Sequence, residues 1–409
     1  MAETLARLAT NLDKRKDLTS QFEKGTAADA GEEKKSLVET TAETIQRGFT
    51  ICLTERGESQ TGIKDGRPEG KKIGIYAFAN LVLKLLFQCQ KTQLASQLFT
   101  NIAQQSPPLY SYPASQRVTY LYYLGRFQLY NTHFFAAQIA LQSAYEQCHA
   151  RCVNQRRSIL VYLITANLLL GRFPGPSLLL HPEAVGIIER FVPICKAMRK
   201  GDIAAFRQAL SPQSPNYNWL FRRNIYLLIQ SRCQVIVWRS LARRIFLLTY
   251  QLPTDASSRK APTLDLNDLL AAAQYCQKIL EGWQRPLIQF GNMPDLQPPP
   301  TGKKKLGTHD GVQYRNKMPN LAFVEATMAS LVQQGLLHGF ISHNQSKFAI
   351  IGAKQKGGPF NAGFPPVWEV LKARAEREGR ADEVPGWIME EKKIGGGGVV
   401  HMSHANPVG

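Results

Sequence analysis

The sequence contains no apolar run long enough to span a bilayer. Its longest, Ile159–Leu170, is broken by Thr165 and Asn167, so no helical membrane span is expected. It also lacks any Cys-x-x-Cys pair, and its cysteines number seven, an odd count. That usage argues against a disulfide framework and for a reducing compartment. Cys148 and Cys152 flank His149 on a predicted helix. No second ligand pair follows them, so they read as a small apolar face rather than a metal site. The opening Met-Ala-Glu-Thr lacks the basic-then-apolar layout of a signal peptide.

Catalytic signatures are missing too. There is no glycine-rich phosphate loop after a strand, no HExxH and no nucleophile elbow. Gly395–Gly398 follows charged tail sequence and reads as a linker, while His401 and His404 in the same tail read as incidental. His133, His149, His181, His338 and His343 are scattered, and Glu32-Glu33 and Glu390-Glu391 read as solvated pairs. The expectation is a protein without enzymatic activity, cofactor or metal.

Acidic residues are scarce: 31 Asp and Glu stand against 50 Lys and Arg, a formal charge of +19. A surplus of that size attracts nucleic acid, an anionic membrane surface or an acidic protein. No Lys/Arg-rich amphipathic helix with a bulky apolar face stands out, which makes the membrane the weakest of the three.

What the sequence does hold is helical hairpins. Leu124-Gly125-Arg126-Phe127 and Leu170-Gly171-Arg172-Phe173 repeat the same four letters between Ser115 and Leu180. Around the first, Leu121, Leu124, Gly125, Ala137, Leu141 and Ala144 follow the spacing of a tetratricopeptide-type hairpin. Gly125 and Ala137 would leave no bulk where two helices cross, with Leu141 filling the groove beside them. The two units start 46 residues apart, longer than a regular repeat of about 34, and Gln128 takes the place of the pattern's second aromatic. The reading is a mainly α, irregular helical-repeat solenoid, an architecture that holds partners.

Residues 1–36 read as a frayed helix and a flexible stretch, and 37–215 as the solenoid. Within it, Leu37–Leu53 and Ile73–Gln90 read as helices, the second apolar on almost every side. A tight turn is expected at Lys200-Gly201-Asp202. From 216 to 250 the arginines at 222, 223, 232, 239, 243 and 244 recur at mixed spacing, so they cannot share one solvent face. Residues 264–280 read as a short helix capped by Asp265 or Asn267, and 282–319, rich in Pro and Gly, as a mobile insertion. Asn320 caps the next helix, whose stripe of Leu321, Val324, Met328, Leu331 and Val332 ends at Gly335. Two alternating runs follow, Leu337–Ser342 and Lys347–Ile351. Helix, helix and two-stranded hairpin make a winged helix, so 216–355 is assigned to that part and 356–409 to a largely flexible extension.

A helical solenoid running into a winged helix resembles the PCI domain. Arg117-Val118-Thr119-Tyr120, Tyr122-Tyr123-Leu124-Gly125-Arg126, Gln155-Arg156-Arg157 with Ile159–Ile164, and Gly339–Lys347 resemble the messenger-RNA export factor subfamily of the transcription–export complex TREX-two. The resemblance covers roughly residues 37–352 on the coarse element reading. A sibling subfamily, a signalosome-associated subunit, shares many of these residues. Family members carry further helices ahead of the position of Met1. The resemblance implies a nuclear, pore-associated scaffold that pairs with a larger PCI subunit and a small acidic peptide of the proteasome-lid type, and binds RNA or DNA with little sequence selectivity. The alternative is a PCI subunit of a signalosome- or proteasome-lid-like assembly acting through protein contacts alone.

Three sets of candidate residues follow. Phe340, Ile341, Phe348 and Ile350 on the wing would dock a partner's winged helix, or else face the domain's own core. Trp219, Tyr226 and Trp238, among the arginines of 217–250, would anchor the acidic chain, or else are ordinary core. Lys303, Lys304, Lys305, Arg315, Lys317, Lys347, Lys354 and Lys356 flank one small domain and would form a basic face for phosphates. Lys303–Lys305 could equally solubilise a loop or serve nuclear import.

Overall fold

The structure, a computed structural model, describes residues 1–15, 36–55, 63–64, 66–251, 261–284, 296–300, 302–378, 388–389 and 402–403. It is mainly helical and divides into two compact units, Met1–Ala166 with Ala375–Gly409, and Asn167–Arg374. The division falls inside a helix, at 166/167. The helices from 188 to 249 pack with the winged helix and belong to its unit.

The first unit holds α1 (Ala2–Asp13), α2 (Leu37–Thr54), α3 (Ile75–Gln88), α4 (Ala95–Gln105), α5 (Ala114–Tyr130), α6 (Phe134–Gln147) and most of α7 (Val153–Leu169). Contrary to the frayed expectation, α1 packs on α2 and α3 and buries Ala6 and Ala9. The α5–α6 hairpin crosses as its sequence demands. A Cβ added at Gly125 would lie 2.5 Å from Leu141 Cγ and 3.3 Å from the Ala137 carbonyl oxygen. Ala137, Leu141 and Ala144 are fully buried.

Leu170–Phe173 is not a second copy of this arrangement. It follows the end of α7 in a turn, where Gly171 takes φ 75° and a Cβ would strike Val367. The same four letters close one helix and cross another.

The second unit contains α8 (Ile188–Lys200), α9 (Ile203–Ala209), α10 (Tyr217–Phe221), α11 (Tyr226–Thr249), α12 (Leu266–Leu280), α13 (Leu321–Gln333), α14 (Pro359–Gly363) and the start of α15 (Val367–Glu378). Its sheet has three strands rather than two. Thr263–Asp265, of which Leu264 and Asp265 are expected to open a helix, pairs with Lys347–Ile350, which also pairs with Gly339–Ser342. Numbered after the small hairpin β1–β2 (Ile63–Lys64 and Arg67–Pro68), these are β3, β5 and β4, with β5 central. Asp265 caps α12 by accepting from Asn267 N at 2.8 Å, and Asn320 caps α13 by accepting from Phe323 N at 2.9 Å. Leu264, Leu269, Val324, Met328 and Phe348 fill the core of this winged helix.

The insertion 282–319 is anchored where it is described. Gln277, fully buried, accepts from Val312 N at 2.9 Å, and Val312 itself is buried. Lys304 N donates to the Glu281 carbonyl at 2.9 Å, and Asn316 Nδ2 donates to the carbonyls of Leu306 and Gly307, both at 2.9 Å. A buried amide that must find partners holds the loop. Within the expected extension, the segment 362–367 is anchored, with Ala362, Phe364 and Val367 buried. Glu32-Glu33, Gly395–Gly398, Glu390-Glu391, His401 and His404 lie outside the described residues.

Candidate functional site

Gly201 shapes a basic groove of the second unit. It ends α8 with φ 68°, and a Cβ there would run into the backbone of Ser240 and Leu241. Only glycine fits both the left-handed turn and the close approach. Asp202 then caps α9 by accepting from Ala205 N at 2.8 Å. The approach sets Arg199 and Lys200, in the last turn of α8, beside Arg239, Arg243 and Arg244 of α11. Together they border a groove of about 770 Å³, completed by Phe173, Leu247 and the 361–366 segment, and among the described residues no carboxylate lines it.

These cations are held in different ways. The Arg199 guanidinium lies 4.7 Å from the centre of the Phe173 ring, and Arg244 Nη1 donates to the Lys200 carbonyl at 3.4 Å. Arg239 donates to the carbonyls of Leu336 (3.2 Å), Phe364 (3.0 Å) and Pro365. It thereby ties α11 to the end of α13 and the approach to α15. Burial and the neighbouring charge of Arg243 push the pKa of Arg239 down to about 10. Arg243 makes no such bonds. The groove therefore concentrates positive charge that no described carboxylate along its walls neutralises.

The wing candidates divide. Phe340 is 54% exposed on β4, which among the described residues pairs only with β5. Ile341 is half-buried, while Phe348 and Ile350 are buried in the core of the winged helix. The aromatic candidates are also mostly interior. Trp238 is buried edge-on to Phe323, with centroids 5.7 Å apart, and Tyr226 packs edge-on to Tyr217 at 4.8 Å. Trp219 is half-buried, and the Arg223 and Arg190 guanidinium groups sit 4.1 and 5.2 Å from its ring centre. Each of these rings thus has an aromatic or guanidinium neighbour within the chain.

The basic candidates are distributed along the winged-helix part. Lys303 pairs with Glu281 at 3.6 Å, just beyond the C-terminal end of α12, with Lys304 and Lys305 exposed beside it. Lys347 sits opposite Asp265, the residue that caps the N-terminal end of the same helix. At 1.5 Å per residue those ends are roughly 20 Å apart. Arg315 lies over its neighbour Tyr314, and Lys317, Lys354 and Lys356 are exposed. The cluster that does form was visible in sequence only as the arginines at 239, 243 and 244. Their neighbours Arg199 and Lys200 lie some 40 residues earlier, and the turn at Gly201 was the one local signal linking them.

Among the described residues, no group of three or more His, Cys, Asp and Glu is placed to hold a metal ion, and no helix is long and apolar enough to cross a membrane. A helical repeat and a small winged helix, with β4 at an edge of its sheet, define the fold class of the chain. No family model matches the chain. It is similar to a PCI domain-containing protein of Schizosaccharomyces pombe, 28% identical over 316 residues, which make up 77% of this chain and 60% of that protein. It is similar also to a CSN12 homolog of Mycosarcoma maydis, at 30% over 231 residues, 56% of this chain and 48% of the relative. A PCI domain-containing protein 2 of Danio rerio is 28% identical over 222 residues, 54% of this chain and 52% of the relative. The chain thus spans about half to three fifths of the length of these relatives. Their names and the fold together support a PCI-domain protein.

Proposed function

We propose that the chain is a non-catalytic PCI scaffold subunit that joins a larger PCI subunit through its wing. In this reading it also accepts a small acidic peptide subunit and binds RNA or DNA through phosphate contacts, in nuclear, pore-associated messenger-RNA export. The observation that carries the proposal is the open edge of β4 with Phe340 exposed on it. An unpaired strand edge bearing a large apolar side chain is a liability that a partner's strand or helix relieves. Nucleic-acid binding rests on the charge of +19 and on phosphate rather than base contacts. The wing-side helix α13 carries no Lys or Arg for the major groove.

The test is affinity purification of the tagged chain beside its Phe340→Glu variant. Wild type should recover a large PCI subunit and nuclear-pore proteins. The variant should lose at least about tenfold of that association, as expected at a central apolar contact, with its melting temperature unchanged. Undiminished association in the variant would overturn the docking assignment. A second reading is a signalosome-like subunit acting through protein contacts alone. It is favoured by the CSN12 homologs among the relatives, and recovery of signalosome subunits in the same experiment would establish it.

A further inference from the structure

We infer that the groove between α8 and α11 is a binding site for a compact polyphosphate, a small molecule carrying several clustered phosphates, whether free or attached to a nucleoside. Five cationic side chains, Arg199, Lys200, Arg239, Arg243 and Arg244, border it, and no carboxylate among the described residues lines it. Part of this cluster has a structural explanation. Arg199 and Lys200 lie at the C-terminal end of α8, where cations complement the helix dipole, and Arg244 donates to the carbonyl of Lys200. Arg239 is committed to three backbone carbonyls.

Arg243 is different. It forms no hydrogen bond or ion pair with any described residue, yet stands close enough to Arg239 to lower that residue's proton affinity. A cation that works against its neighbour is a cost in the free protein and an asset once an anion binds. Arginine forks match phosphate oxygens in pairs. The size of the groove points to a compact ligand: about 770 Å³ lies in the range of small-molecule pockets. Its lining comes from three sides, namely the end of α8, one face of α11 and the 361–366 segment. That is a recess rather than a track for an extended chain.

The site is independent of the wing edge, so the two proposals can fail separately. The test is titration calorimetry and thermal melting of the full chain with sodium tripolyphosphate, ATP, orthophosphate and a single-stranded oligouridylate. Tripolyphosphate should bind and raise the melting temperature, and orthophosphate should bind far more weakly. Arg243→Ala should lose tenfold or more in tripolyphosphate affinity, the scale of one charged hydrogen-bonding contact. Its melting temperature without ligand should stay equal to wild type or rise, which a purely structural arginine would not give. Phe340→Glu should bind tripolyphosphate as wild type does. Tighter binding of ATP than of tripolyphosphate would identify a nucleoside polyphosphate, and equal binding would identify the phosphate cluster alone; both support the site. The inference is overturned if tripolyphosphate does not bind, if Arg243→Ala binds it unchanged, or if only the oligouridylate binds at these arginines.

Discussion

Arg126 and Arg239 show two ways of burying a guanidinium without a carboxylate. Arg126 lies 4.6 Å from the ring centres of both Phe87 and Tyr162 and donates to the hydroxyls of Tyr122 and Tyr130 at 3.2 and 3.1 Å. Burial alone would lower its proton affinity, but the surrounding tyrosines raise it above the usual arginine value. Arg239 has only carbonyl dipoles, and burial with Arg243 carries it the other way. Both stay charged at neutral pH, so stability near pH 7 is insensitive to either.

The tyrosines set the alkaline limit. Burial, partly offset by a hydrogen bond with Ser106, pushes Tyr76 from 10.0 up to about 12. Its contribution is complete below pH 10 and lost as pH rises towards 12, about 3 kcal/mol for such a shift. Arg239 acts oppositely, since the cost of its lowered pKa fades as pH climbs above 10. Tyr112, Tyr120, Tyr123 and Tyr162 are also raised by burial and side with Tyr76. Net stability should therefore fall above pH 10, with tyrosinate absorbance and loss of helical circular dichroism rising together. Ionisation of these tyrosines near pH 10 with helix content intact would contradict this.

At Gly201 the constraint is steric. Gly201→Ala adds about 1–2 kcal/mol of left-handed strain and a contact with the Ser240–Leu241 backbone that no rotamer relieves. A fall in the urea midpoint larger than strain alone predicts should be seen, accompanied by weaker tripolyphosphate binding. A neutral effect would mean that α8 and α11 separate freely.

At the scale of elements, local signals were the legible ones. The caps Asp265 and Asn320, the stop at Gly335, the turn at Gly201 and the Gly125 crossing were all readable. Each is decided by chemistry within a few residues, or by the helical period. Strand β3 was not, because Thr263–Asp265 finds its partner in Lys347–Ile350, more than 80 residues on, and a three-residue strand has no period of its own. Leu170–Phe173 misled for the opposite reason, since the same letters fit a helix crossing and a helix end. The insertion was read from its Pro and Gly content. What fixes it is Gln277, on the buried face of α12 and indistinguishable in sequence from a surface glutamine. Gln277→Leu should orphan the Val312 N–H, costing about 1–3 kcal/mol. It should also make the 302–319 segment markedly more sensitive to limited proteolysis. Unchanged cleavage would show that the other anchors, Glu281 and Asn316, suffice.

For the molecule as a whole, charge is the property that sequence fixed in amount but not in place. The surplus of +19 was assigned to lysines neighbouring one another along the chain. Folding puts Lys303–Lys305 and Lys347 at opposite ends of α12, and gathers arginines from α8 and α11 instead. Partner residues fared similarly: of the four wing candidates only Phe340 is well exposed, because alternation along a strand says which residues share a face but not which face is inside. Dispersed like charges repel over the screening length, which shortens from about 30 Å at 0.01 M salt to about 8 Å at 0.15 M. With few acids to offset that repulsion, the folded state should be least stable at low ionic strength. The melting temperature should rise by a few degrees as sodium chloride is raised from about 10 to 150 mM. Arg243→Ala should shrink that rise, since it removes one of the closest like-charge neighbours, whereas Lys354→Ala at an exposed turn should leave it unchanged. A flat or falling melting temperature across this range would show that attractive pairs such as Lys91–Glu39, at 2.9 Å, outweigh the surplus and that the basic groove carries no electrostatic cost in the free protein.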